Sequence, residues 1–361
     1  MNQQYLEPAQ PDAAPVVVAL RDAPKSPNQR GWERFKRNRP GYRSLWLFVA
    51  MLLVATLGEL VSNDRPFFAQ IGGNTYFPII TNPSDRALGG DFATPADWKD
   101  PLIIELLGKP GNWTLGTINA HSANSTDYFT KNPSPAPPSA ANWLGTDRFG
   151  RDMVARLLYG FRVSIWFAIA LTVTGTLIGI LMGAIQGYFG GRIDLTLQRL
   201  IEIWGAVPEL YLLIIVASIF ESSLLLLLIL LSMWGWIGLS DYVRAEFLRN
   251  RSLEFVKAAR ALGLSNAQII RRHVLPNSLT PVITFLPFRM SGAVVALTAL
   301  DFLGLGVPSS VPSLGALLKQ GTESLDAWWI IVPTFLLLVL TSLLLTFIGD
   351  ALRDAFDTRK S

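Results

Sequence analysis

LEFVKAARALGLSNAQIIRRHVLPN, residues 253–277, lies between two long apolar runs, and its reading decides how the rest of the chain is read. Phe255, Ala258, Ala259 and Leu262 recur at helical spacing on one face. Gly263 follows, the residue type suited to the left-handed position at a helix C-terminus. Ser265 with Gln268 is a capping-box pair that opens a second helix, and Ile269, Ile270 and Val274 give that helix an apolar side. Pro276 ends or kinks it. The segment is therefore predicted to be two short helices joined at Gly263. The small residues Ala258, Ala259 and Gly263 leave a surface that fits another protein's groove; an ordinary amphipathic loop is the alternative at this point.

The surroundings are those of a membrane protein. The chain has 361 residues, 50% hydrophobic and 16% charged, where soluble domains carry about 25% charged residues. Apolar runs at 44–62, 161–188, 200–220, 222–239, 280–300 and 328–348 approach the ~20 residues a spanning helix needs. The fold class expected is an all-α membrane protein with six transmembrane helices. Glu221 separates the third and fourth spans at a tight external turn.

Charge sets the expected orientation. Residues 30–43 hold six arginines and lysines against Glu33, and 240–275 hold seven against three acids. Basic connections stay in the cytoplasm. The expected organisation is a cytoplasmic tail at 1–43, its first 29 residues disordered. A first span at 44–62 and a periplasmic insert at 63–143 follow. A core at 144–349 holds five spans and the cytoplasmic loop 240–275, and 350–361 form a cytoplasmic C-terminal tail. The insert is rich in Pro, Asn, Gly and Asp, and it holds Phe67, Phe68, Tyr76, Phe92, Trp98, Trp113 and Tyr128. So many rings suit an ordered surface rather than a tether. Arg148, Arg151, Arg156 and Arg162 fit poorly, because they fall on the outer side; the segment GRDMVARLLYGFR looks amphipathic and is expected to lie along the interface.

Several chemistries are excluded. The chain has no cysteine and only His121 and His273, so thiolate sites and histidine-rich metal sites are absent. It contains no G-x-x-x-x-G-K-[ST] phosphate loop and no zinc-protease helix motif. Catalytic residues and bound metals are therefore none, and energy must come from elsewhere. Gly175, Gly179, Gly183 and Gly187 lie four apart and form one helical stripe, read as a packing face inside the subunit or a face sliding against a partner. Glu209 beside Pro208 is an intramembrane carboxylate at a breakable helix position. It is read either as a pathway group sensing a cationic solute end, or as a group near the interface or paired with an arginine.

Lys257-Ala258-Ala259, Gly263 and Leu275-Pro276 resemble the E-A-A…G…L-P coupling loop of binding-protein-dependent ABC permeases. The departure is Lys257, where that pattern has glutamate. LGTDRFGRDMVARLLYGFRVSI (144–165), GYFGGRID (187–194) and FLGLGVP (302–308) are similar to the dipeptide, oligopeptide and nickel subfamily. The long tail and insert resemble the second permease subunit of Yej-type peptide and microcin C importers. This resemblance implies the type I ABC importer permease fold. It implies an ATPase-coupling surface at Phe255, Lys257, Ala258, Ala259, Leu262, Gly263, Ile270, Leu275 and Pro276, and a translocation path near Pro208 and Glu209. The implied partners are a second homologous permease subunit, two ATPase subunits, a periplasmic solute-binding protein and membrane lipid, with no nucleic acid. No cofactor is expected on this chain, with ATP and Mg in the partner subunits. The solute is a peptide, a peptide-like molecule or a nickel complex. An ion-coupled secondary transporter and a membrane-anchored receptor are the rival readings.

Overall fold

A computed structural model describes residues 27–126 and 133–356. The tail 1–26, Tyr128 and Lys131 in the insert, and 357–361 lie outside the described residues. The described residues open with the basic helix α1 (Pro27–Arg37), so 27–29 are helical rather than part of the tail. Asn38 separates it from α2 (Arg39–Thr56), and its side chain accepts the Gly41 N–H at 3.1 Å. The short α3 (Gly58–Val61) follows, so the apolar run 44–62 is two helices and not one.

The insert forms β1 (Phe68–Ile71), β2 (Asn74–Tyr76), α4 (Pro101–Leu107) and β3 (Trp113–Leu115). The strands pair antiparallel in the order β2-β1-β3. Ala69, Ile71, Leu88, Ala96, Trp98 and Ile103 make a small core beneath them. The chain is predominantly helical, and this three-stranded sheet is its β component among the described residues.

The remaining helices are α5 (Met153–Phe189), α6 (Gly191–Gly205), α7 (Glu209–Ile219), α8 (Leu224–Ser232) and α9 (Ile237–Asn250). Then come α10 (Glu254–Ala261), α11 (Asn266–Ile269), α12 (Leu275–Leu303), α13 (Leu314–Glu323) and α14 (Trp328–Phe356). Among the described residues, three helical segments are long and apolar enough to cross a membrane: α5, residues Pro281–Leu303 of α12, and α14. The pair α6 and α7 is bent by 62° and the pair α8 and α9 by 40°; counting each as one span makes five. A count of six needs the shorter apolar helix α2 as well. The core of the bundle includes Phe48, Phe161, Ile165, Leu171, Leu297 and Leu345.

Each of the four arginines around the start of the second span has a protein partner. Residues from Met153 onward are the first turns of α5, capped by Asp152, whose carboxylate accepts the Ala155 N–H at 2.9 Å. Asn119 and Asn142 of the insert also donate to this carboxylate, at 2.8 and 3.1 Å. Arg151 pairs with Asp147 and Arg148 with Glu323 of α13. Arg162 pairs with Glu59 of α3. Arg156, 1% exposed, donates to the Ala123 carbonyl and the Asn124 side chain. Carboxylates thus offset three of the four charges, Arg148, Arg151 and Arg162, that loop-charge counting treats as free.

The ends of the bundle sort into two sets. The insert, α13 and the start of α14 meet at one end, where Trp329 donates to the Thr146 carbonyl at 3.2 Å. At the other end Phe35 of α1 packs against Ala351 and Ala355 of α14. That second end also carries the 254–274 segment, through the contacts described next.

Candidate functional site

In the segment 254–274, α10 ends at Ala261 with Leu262 as its C-cap, and the backbone turns at Gly263, with φ +80°. The Leu264 N–H donates to the Ala259 carbonyl and the Gly263 N–H to that of Arg260. These are the two hydrogen bonds of a Schellman cap, which needs the left-handed residue that glycine supplies without strain. Ser265 and Gln268 then form a complete capping box for α11. A single π turn, Ile270–Val274, joins α11 to α12, with the Leu275 N–H donating to the Ile270 carbonyl. Pro276 accounts for it. Its ring excludes the carbonyl four residues back, and the helix widens rather than ending. Pro276 sits in the first turn of α12.

The segment is anchored on one side and open on the other. Val256, Ala259, Ile269 and Val274 are buried against Ala184 and Tyr188 of α5, Leu239, Val243 and Phe247 of α9, and Val282 of α12. Ile270 and Leu275 are half-buried beside them. Tyr188 donates to Asn266 at 2.8 Å, Arg251 donates to the Tyr188 carbonyl at 3.1 Å, and Asn250 donates to Ser278 at 2.8 Å. Phe255 is 41% and Leu262 80% exposed, with Ala258 exposed between them. The face expected from spacing is therefore split: Ala259 turns inward with Val256, and Phe255, Ala258 and Leu262 form an outward ridge. An eight-residue helix has apolar residues on more than one side, and the neighbouring helices choose which is covered. Lys257 is exposed and donates to Glu254 at 2.8 Å.

The glycine stripe faces α9. A Cβ at Gly179 would stand 3.0 Å from the Trp236 carbonyl, one at Gly183 2.5 Å from that of Ser240, and one at Gly187 2.5 Å from the Phe247 Cβ. At Gly175 it would meet the Arg289 guanidinium at 2.7 Å. The absent side chains allow the two backbones to touch. Arg244 of α9 adds a bidentate pair with Asp194 of α6, at 2.5 and 2.7 Å.

Glu209 is the first residue of α7, next to the break at Pro208, which is exposed. Across from it is the break between α8 and α9. The indoles of Trp204 and Trp234 stack at 5.4 Å, and Trp204 donates to the Met233 carbonyl freed near that break. A cavity of about 260 Å³ lies beside both breaks, lined by Thr172, Glu209, Trp234, Gly235, Arg289 and Ala293 among others. Sequence reading singled out Glu209 and missed Arg289. The signal was there: Arg289 is a lone cation inside the apolar run 280–300, and such residues usually face a bundle interior or a cavity.

Two bent helix pairs with a partly apolar cavity beside the breaks are the build that transporters place along a solute pathway. Residues 175–361 match the family described as binding-protein-dependent transport system inner membrane component. Residues 26–78 match the N-terminal TM domain of oligopeptide transport permease C. The chain belongs to this family: it is a permease subunit of a binding-protein-dependent ABC transporter, a membrane component and not an enzyme. It is 44% identical over 334 residues to the inner membrane ABC transporter permease protein YejE of Escherichia coli K12, covering 92% of this chain and 98% of that protein. It is 40% identical over 377 residues to the peptidoglycan transport system permease protein YejE of Agrobacterium fabrum, covering 98% and 99%. The dipeptide transport system permease protein DppC of Lactococcus lactis is 30% identical over 335 residues, covering 92% and 91%. Family membership sets aside the ion-coupled secondary transporter.

Proposed function

We propose that this subunit carries peptides or peptide-bearing solutes inward across the bacterial inner membrane, together with a second homologous permease that closes the pathway. Two ATPase subunits holding ATP and Mg dock on the 254–274 segment, and a periplasmic binding protein delivers solute to the end that bears the insert. The N- and C-termini lie in the cytoplasm with the docking segment. Relatives named for dipeptide and peptidoglycan transport support a peptide-bearing solute over a nickel complex.

One observation carries this reading. The ridge of Phe255, Ala258 and Leu262 is open, while the opposite side of the same short helices is locked to α5, α9 and α12. A partner gripping the ridge therefore moves three span ends together, as a lever. Coupling of this kind needs two states that both sites bias. Closure of the ATPases supplies the bias at one end and the loaded binding protein at the other. The two broken spans next to the cavity are the elements able to change shape between those states.

The test is reconstitution in liposomes with the second permease, both ATPases and the binding protein. Peptide uptake is expected only when ATP and the binding protein are both present. A cysteine at Leu262 is expected to cross-link to an ATPase. Uptake driven by an ion gradient without ATP, or no cross-link from Leu262 while one forms from an insert position, would overturn the reading.

A further inference from the structure

We propose that the cavity beside the helix breaks is a binding site for the free termini of a zwitterionic peptide, with Glu209 receiving the ammonium end and Arg289 with Thr172 receiving the carboxylate end. This rests on the importer reading above and names the solute chemistry that the pathway recognises.

The cavity holds polar groups whose bonding capacity is unused. Thr172 is 5% exposed, lines the cavity, and its Oγ1 has no hydrogen-bond partner. Buried hydroxyls are usually satisfied, so such a group points to a missing ligand or water. Glu209 makes no ion pair or hydrogen bond among the described residues, although it is half-buried. Arg289 donates Nη2 to the Gly235 carbonyl at 2.7 Å, and its buried Nε has no partner. That one bond fixes the guanidinium against the α8–α9 break and leaves a donor edge free. The rest of the lining, including Leu171, Leu231, Trp234 and Ala293, is apolar. An apolar cavity with a few convergent polar groups is the usual build of a small-molecule site.

Charge decides the class of ligand. Within a membrane an unpaired charge is costly, whichever its sign. A peptide with free ends brings one charge of each sign. A lone carboxylate would stabilise the ammonium and repel the other end. Glu209 on α7 and Arg289 on α12 offer opposite charges from separate elements, so each end of the solute meets its complement as it loses water. Arginine suits the carboxylate because its donors form a planar fork.

The experiment uses the complete transporter in proteoliposomes with unmodified binding protein, saturated with trialanine, N-acetyl-trialanine or trialanine amide. Each variant rate is divided by the wild-type rate for the same peptide, so the capture step cancels. Glu209→Gln is expected to slow trialanine and its amide about thirtyfold or more and to leave the N-acetyl peptide within about twofold, the scale of losing one partner of a desolvated charge pair. Arg289→Gln is expected to slow trialanine and the N-acetyl peptide about thirtyfold or more and to leave the amide within about twofold. Equal slowing of all three peptides, or none, overturns the proposal, because the two charges then serve each other or the fold. If Arg289→Gln does not assemble, the Glu209→Gln arm decides alone. Wild-type liposomes that show no ATP-dependent uptake of any peptide would instead remove the importer reading, and this inference with it.

Discussion

The Tyr188 hydroxyl, at the last turn of α5, donates to the Asn266 side chain in the first turn of α11 at 2.8 Å. This bond ties α5 to the 254–274 segment, and Tyr188 is buried against the same cluster that holds Ile269 and Val274. Removing the hydroxyl keeps the ring packing and deletes only the tie. Tyr188→Phe is expected to lose about 1 kcal/mol of local stability. Assembly should stay intact and the ratio of peptide moved to ATP hydrolysed should fall in reconstituted transporter. An unchanged ratio would show that packing alone transmits the motion.

Gly263 has open space around it, so a side chain there meets no neighbour. The penalty comes from the backbone alone, at φ +80°. Gly263→Val is expected to cost about 1–3 kcal/mol and to distort the Schellman cap. Membrane insertion should be normal, with weaker ATPase association and little transport. Gly263→Asn should recover part of the loss, because asparagine tolerates the left-handed region. Full transport by the valine variant would count against the docking assignment.

Gly183 is limited by space instead. Its Cβ would press on the Ser240 carbonyl, the Val243 side chain and the Arg244 backbone nitrogen. Gly183→Val should destabilise the α5–α9 contact by about 1–3 kcal/mol, read as a lower melting temperature in detergent. An unchanged melting temperature would mean that the two helices separate easily.

Orientation can be read with single cysteines, since the chain has none of its own. Ser125→Cys in the insert is expected to react with an impermeant thiol reagent in intact cells once the insert is unfolded. Leu262→Cys should react only after permeabilisation. The opposite pattern would invert the proposed topology.

The insert offers exposed rings at Phe77, Phe92 and Trp113, which are 54%, 68% and 50% exposed. Aromatic anchors of this kind suit a protein interface. Alanine at all three positions should lower the stimulation of ATP hydrolysis by the loaded binding protein while the bundle stays folded. Trp98→Ala is the contrasting variant: Trp98 is 7% exposed and donates to Asn82 at 2.8 Å. It should unfold the insert at a cost of about 3–5 kcal/mol, measured by protease sensitivity. Full stimulation of the triple variant would leave the rings without a receiving role.

The helix–Gly–helix shape of the 254–274 segment was legible because its signals are local. Gly263 sets one backbone angle, Ser265 and Gln268 satisfy each other across a single turn, and both could be read from spacing. The glycine stripe and the long apolar runs were legible for the same reason, since helical periodicity puts residues three or four apart on one face. The carboxylate of Glu209 was visible as an oddity in an apolar run.

What the linear chain by itself determined is which stretches are helical and apolar, where the left-handed turn falls, and that no G-x-x-x-x-G-K-[ST] phosphate loop occurs in the sequence. Tertiary structure alone decided the partners. Arg148, Arg151, Arg156 and Arg162 read as misplaced positive charge until Glu323, Asp147, the Ala123 carbonyl and Glu59 were found beside them. Phe255 and Ala259 read as one face until α5, α9 and α12 covered one and left the other open. Thr172, Glu209 and Arg289 come from α5, α7 and α12 and converge only around the one cavity that they line. The physical reason is common to all three cases: burial and charge pairing act through space between segments far apart in the chain, and spacing along the chain carries no record of which segment will arrive alongside.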